Sequence, residues 1–139
     1  MKRIFIDSSV IFFAAYSEKG ASRELLLMGA RGEIILVVSP LVLEETRRNI
    51  SKVSSELADL FDLIVAAISF EIVQPTKEEV ILAAEIVELK DAPILAAARK
   101  AGTDLLVTLD KKHLLGKPQL VAFAGMPIVA PGEAIAHHL

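Results

Sequence analysis

No cysteine occurs among the 139 residues of the chain. A disulfide framework and a thiolate metal site are therefore excluded, and the composition suits the cytoplasm, the expected location. Aromatic residues make up only 5% against 53% hydrophobic residues in all, so the core is aliphatic, built from Ile, Leu, Val and Ala. No apolar run reaches the roughly 18 residues of a membrane-spanning helix, and no membrane association is expected. A positive excess is missing too. The net charge of −3 gives no global pull toward polyanions, so any such binding must use a local basic patch. Repeats, linkers and low-complexity tracts are absent. The length predicts a single domain over residues 1–139 with a sizeable core. The opening stretch, MKRIFIDSSVIFFAAYSEKG, has the basic start and apolar run of a signal peptide. Asp7, Ser8 and Ser9 interrupt it and no small-residue cleavage pattern follows, so it reads as a strand and a helix of the mature fold.

What is present is a regular alternation. Arg3–Ile6 predicts a strand, Val10–Ala15 a helix and Ala21–Ala30 a second helix. Ile34–Val38 is a continuous β-branched and aliphatic run, the mark of a buried parallel strand. Ser39 and Pro40 then start a helix as N-cap and first helical residue, with Glu44 and Glu45 in its second turn. Ser54 or Ser55 caps a helix to about Ile68, whose Leu57, Leu60, Phe61 and Ile64 recur at steps of three and four. Glu71–Val73 is a short strand. Thr76 and Glu79 form a capping box for a helix expected to reach about Leu89. Leu120–Phe123 and Pro127–Val129 read as short edge-like segments, and Pro131-Gly132 precedes a small terminal helix.

The most informative stretch is KDAPILAAARKAGTDLLVTLD at 90–110. Asp91 is a good N-cap, with Pro93 in the first turn behind it. Ile94, Leu95, Ala97, Ala98 and Ala101 keep helical spacing until Gly102. Leu105–Val107 is a buried strand, and Thr108 and Asp110 follow at its carboxyl end. Taken singly, Asp91 reads as a helix cap, Asp110 as the opening of a turn, and Asp104 as a structural turn residue. The pattern of the whole chain changes the weighing. Strands alternating with helices predict βαβ units and a mostly parallel sheet. Right-handed crossovers put the strand ends on one rim, where such sheets bind ligands. Asp7, Glu45, Asp91 and Asp110 then share that rim. Crowded carboxylates repel one another unless a cation neutralises them. Oxygen donors without thiolates point to Mg²⁺ or Mn²⁺. One such ion, or two about 4 Å apart, activates water for in-line attack on a phosphodiester. Arg47, Arg48, Lys52, Arg99, Lys111 and Lys112 are candidate phosphate contacts, although charges on helix faces and turns are more often solvated surface. His113 is a minor candidate for a base.

At these residues the chain resembles a known family. DSSVIF at 7–12, SPLVLEETRR at 39–48, KDAPILAAARKAGTDLLVTLDKKHL at 90–114 and IVAPGE at 128–133 together resemble a PIN domain. PIN domains are small nuclease modules that include the VapC-type toxins of toxin–antitoxin pairs. The resemblance implies a three-layer α/β/α sandwich with a mostly parallel central sheet, and metal-dependent cleavage of single-stranded RNA. It places the family's acidic quartet, and so the Mg²⁺ or Mn²⁺ ligands, on Asp7, Glu45, Asp91 and Asp110. Glu45 is selected over the adjacent Glu44 because the family's glutamate directly precedes the segment matching Thr46-Arg47-Arg48. Ser9 and Thr108 match small polar positions of the catalytic centre. An antitoxin protein as partner and a homodimer are also implied. The alternatives are a non-catalytic PIN-like module that binds RNA or protein, and a phosphoacceptor of response-regulator type. The latter expects paired acidic residues after the first strand, where Asp7 stands alone.

Overall fold

Short aliphatic runs become strands, and the residues just beyond them start helices. The computed structural model describes residues 1–17 and 19–139. Its strands are β1 (Arg3–Ile6), β2 (Ile35–Val38), β3 (Glu71–Ile72), β4 (Leu105–Val107) and β5 (Ile128–Val129). The helices are α1 (Ser8–Tyr16), α2 (Ala21–Ala30), α3 (Pro40–Ser51), α4 (Ser55–Ala67), α5 (Lys77–Ala83), α6 (Ala92–Ala101), α7 (Pro118–Ala124) and α8 (Pro131–His137). The sheet order is β3-β2-β1-β4-β5, and every pairing among the described residues is parallel. Ile4 pairs with Leu105 and Ile6 with Val107.

The chain steps outward from β1 to β3, then crosses back to β4 and continues to β5. The direction of winding therefore reverses between β1 and β4, and a crevice opens beyond their carboxyl ends. α1 packs on α2 and α3, α3 on α4, and α2 on α8. On the other face α5 packs on α6 and α6 on α7. This is the three-layer α/β/α arrangement that the family resemblance implies. Phe5, Leu36, Leu95 and Leu106 are among the fully buried side chains at its centre, each contributing about 1.5–3 kcal/mol by burial. Gly29 lets α2 lie directly against β2, since a Cβ there would overlap the Leu36 side chain.

Caps explain most helix starts. Ser39, Ser54 and Thr76 each accept a backbone N–H with the side chain, and Thr76 and Glu79 complete the capping box. Gly102 ends α6 at φ +59°, a left-handed conformation that only glycine adopts without strain.

Two expectations need correction. Helix α5 ends at Ala83 rather than near Leu89. Glu85 and Ile86 donate to carbonyls three residues back, at 3.2 and 3.1 Å, so the chain tightens into turns. The apolar period survives such a turn, which is why the sequence does not reveal the ending. Leu120–Phe123 is part of α7, not an edge segment. A four-residue apolar run has no decisive period. The telling signals are Pro118 at the helix start and Gly125, which is left-handed (φ +77°) just past its end.

Candidate metal centre at the sheet's carboxyl rim

Asp7 follows β1 directly and is the N-cap of α1. Its Oδ1 accepts the Ser9 amide at 2.8 Å and the Ser9 hydroxyl. Its Oδ2 accepts the Thr108 hydroxyl at 2.5 Å. Both hydroxyls are tied to the loop after β4. Ser9 Oγ accepts the Leu109 amide at 3.1 Å, and Thr108 Oγ1 accepts the Asp110 amide at 3.0 Å. Ser9 and Thr108 therefore join the ends of β1 and β4 and hold Asp7 between them. Asp7 is buried at 5% exposure. Burial pushes its carboxyl above the usual range, against the lowering effect of the Ser9 and Thr108 hydrogen bonds.

Glu45 and Glu44 part company on α3. Glu45 is half-buried and Glu44 exposed. A Glu45 oxygen accepts the Ser8 hydroxyl at 3.4 Å, which brings it to the start of α1 beside Asp7. Burial raises the Glu45 pKa, and the negative charges of Asp7 and Asp91 raise it further; Ser8 and Arg48 pull the other way.

Asp91 does not behave as the sequence suggests. It stands at the N-cap position of α6, but its backbone is already helical (φ −95°, ψ −15°) and its side chain makes no cap hydrogen bond. The carboxylate is directed elsewhere. Asp91 is only 8% exposed, and its buried Oδ2 has no hydrogen-bond partner among the described residues. A buried, unpaired carboxylate oxygen is expensive, and raised cost of this kind marks a functional position. Burial raises the Asp91 pKa, and Asp110 adds to the rise.

Asp110 does both jobs. Its Oδ1 accepts the amides of Lys112 and His113 at 3.1 and 2.9 Å, the turn role expected of it. Its Oδ2 lies 3.2 Å from His113 Nδ1, and Asp91 Oδ2 lies 3.9 Å from the same nitrogen. The charges of Asp7 and Asp91 both act on Glu45, and that of Asp110 acts on Asp91, so like charge links the four carboxylates pair by pair. Asp7, Ser9, Thr108 and Asp110 are joined by hydrogen bonds, and Glu45 and Asp91 lie at the same rim; among the described residues, the potential metal ligands that lie close enough to share one ion are Glu88, Asp91 and His113.

One neighbour, Glu88, emerges only in three dimensions, beside the His113 already noted as a candidate base. His113 Nε2 lies 3.5 Å from Glu88 Oε1, and Glu88, Asp91 and His113 form a compact group of potential metal ligands. Glu88 lies in the turns after α5, and the only sequence signal for it is its spacing three residues before Asp91. Of the basic candidates, Arg47 is paired with Asp62 at 2.9 Å and Arg99 lies over the Phe123 ring at 4.3 Å. Lys111 and Lys112 are exposed beside Asp110.

Fold and site together define a doubly wound α/β protein with an acidic centre at its switch point. The chain belongs to the PIN domain family, whose model matches residues 4–115. No curated protein matches the chain significantly. Among solved structures it is similar to Mycobacterium tuberculosis VapC20, a sarcin-ricin loop cleaving toxin. That match has 18% identity and a TM-score of 0.59, and covers 78% of this chain and 91% of the other. It is also similar to VapBC2 from Rickettsia felis, solved bound to a DNA fragment from their promoter (14% identity, TM-score 0.65, 92% and 98% covered). FitAcB from Neisseria gonorrhoeae is a third, with 14% identity, a TM-score of 0.62, and 98% and 99% covered.

Proposed function

We propose that the chain is a metal-dependent endoribonuclease of single-stranded RNA, acting as the toxin of a toxin–antitoxin pair. The observation that carries this reading is the buried Asp91 Oδ2, left without a hydrogen-bond partner at a rim where it feels the charge of Asp110 and acts on Glu45. Such an arrangement is unstable against its own repulsion and becomes favourable when a divalent cation is bound. Its all-oxygen donor set suits Mg²⁺ or Mn²⁺. In this reading Asp7, Glu45, Asp91 and Asp110 hold the cation. When bound, the ion supplies Lewis-acid stabilisation and an activated water for phosphodiester hydrolysis.

The chain's own residues set the stage for that chemistry. Ser9 and Thr108 act as positioning residues, each fixing one oxygen of Asp7. Ser8 steers Glu45 toward Asp7. Lys111 and Lys112 lie beside Asp110 with their charges exposed, so the phosphates of a strand crossing the rim have cations to meet. The likeness to a VapC toxin and to VapBC2 supports an antitoxin protein as partner. The exposed Ile81 and Leu82 on α5 and Ile86 just after it support a homodimer, which light scattering at micromolar concentration tests.

The deciding experiment compares the parent chain with Asp91→Asn on a broad panel of single-stranded RNAs, with Mg²⁺ or Mn²⁺ and with EDTA. The parent should cut only with metal, and the variant should not cut. Metal-dependent binding of RNA or protein without cleavage by the parent would establish the non-catalytic module instead. An equally active variant would remove Asp91 from the metal site.

A further inference from the structure

His113 is placed where the proposed nuclease chemistry does not need it. Its ring sits among three carboxylates, with Nδ1 facing Asp110 and Asp91 and Nε2 facing Glu88. A pairing of His113 with Asp110 alone would explain one of these contacts as an ordinary neighbour interaction three residues apart. It leaves unexplained the approach of Glu88 from a different element and the buried Asp91 Oδ2 that no donor meets.

We propose that Glu88, Asp91 and His113 form a second cation site, of mixed nitrogen and oxygen character, for a borderline divalent transition ion such as Zn²⁺. One ligand atom from each residue lies within 4.8 Å of the other two. Ligands about 2.0–2.2 Å from a common ion must stand somewhat closer than that. The remaining closure falls to Glu88, whose side chain is 63% exposed and free to move, while Asp91 and His113 are held at 12% and 16%. The second ring nitrogen of His113 has a carboxylate to receive its N–H, which is the usual way a ligating imidazole is oriented. Imidazole selects the ion. Mg²⁺ prefers carboxylates and water, whereas a histidine nitrogen suits Zn²⁺ and its neighbours in the series. Glu88 and His113 also line a cleft of about 550 Å³ together with Lys117 and Leu120, which gives an ion access from that side. Asp91 belongs to both sites, so filling one changes the other. The proposal does not require that the chain cut RNA.

The test uses Co²⁺ as a visible probe of the Zn²⁺ position, in excess Mg²⁺ and with the full chain. The parent should bind one Co²⁺ with d–d absorption that Mg²⁺ does not erase. Glu88→Gln and His113→Ala should each weaken that binding about tenfold or more. Glu88 is exposed, so its variant should fold even if His113→Ala does not, and thermal unfolding in EDTA checks both. Asp104→Asn, in the turn before β4, should keep the Co²⁺ signal. Changing His137 and His138 to Ala together should also keep it. Unchanged Co²⁺ affinity in Glu88→Gln, complete displacement by Mg²⁺, or loss of the signal with His137 and His138 would overturn the site. Absence of RNA cleavage by a parent that binds Co²⁺ through His113 would overturn the nuclease reading and leave this site standing.

Discussion

The two rims of one sheet carry the same kinds of residue and treat them in opposite ways. At the amino rim, Arg3 of β1 makes a two-pronged pair with Glu71 of β3, with contacts of 2.7–2.9 Å. It also donates to the Ala101 carbonyl at the end of α6. Asp104, just before β4, accepts the Arg3 amide at 2.8 Å. Each acidic group there meets a cation or an N–H. At the carboxyl rim, Asp7, Glu45 and Asp91 are all pushed up in pKa by burial, and Asp91 keeps an oxygen with no partner. The first arrangement lowers the energy of the fold. The second raises it locally, and only a ligand of opposite charge would repay the strain. Positions that break the rule of paired buried charge are where function is expected.

The largest expected effect comes from exchanging one aspartate at each rim for asparagine. Asp7→Asn should lower the proposed metal-dependent RNA cleavage by more than about 100-fold, because it removes a proposed ligand rather than a residue that supports one. Its fold should hold in EDTA, since Asn caps helices about as well as Asp. Asp104→Asn should leave cleavage unchanged. Equal losses of activity in the two would erase the contrast between the rims.

Thr108→Val sharpens it from inside the acidic rim. The hydroxyl is fully buried and joins Asp7 Oδ2 to the Asp110 amide. Its loss leaves buried polar groups unmet and should destabilise by about 1–3 kcal/mol. A shift in the urea midpoint without a change in slope reads this directly. At the amino rim, Arg3→Met should destabilise by only about 1 kcal/mol, because the pair is partly exposed and screened. A loss above that of Thr108→Val would show that the amino rim carries more of the fold than its exposure suggests.

The smallest effect concerns pH. Asp7, Glu45 and Asp91 have folded-state pKa values above their ordinary 3.8 or 4.5. In the window between those ordinary values and the raised ones, the folded chain binds more protons than the unfolded chain. Stability in EDTA should therefore rise as pH falls through that window and fall as pH climbs out of it. Added Mg²⁺ should reverse the trend, because the cation competes with protons for the same oxygens. Melting curves recorded from about pH 4 upward, starting at the ordinary carboxyl range, test both signs. A metal-free chain that loses stability on mild acidification would contradict the picture of a strained acidic rim.

Much of this was legible from residue order alone. Runs such as Ile4–Ile6 and Leu105–Val107 have one reading, because a buried parallel strand needs continuous aliphatic residues. Ser39, Ser54, Thr76 and Gly102 mark helix ends through local hydrogen bonds and backbone freedom, which depend on a few neighbours. The alternation of strand and helix, with its handed crossovers, was enough to place four distant carboxylates on one rim.

Tertiary structure decided the rest, because the deciding partners lie far away in sequence. Asp91 has the residue type and position of a cap, yet its backbone angles turn the side chain from the helix toward Asp110 and His113. Glu45 is distinguished from Glu44 by which one faces Ser8 across 37 positions of sequence. Thr108 reaches Asp7 across 101. The end of α5 was hidden because a tightened turn preserves the apolar period, and that turn is what carries Glu88 to His113. Local chemistry determined the elements and listed the acids. Only the winding of the sheet decided which of them are paired and which are left facing one another.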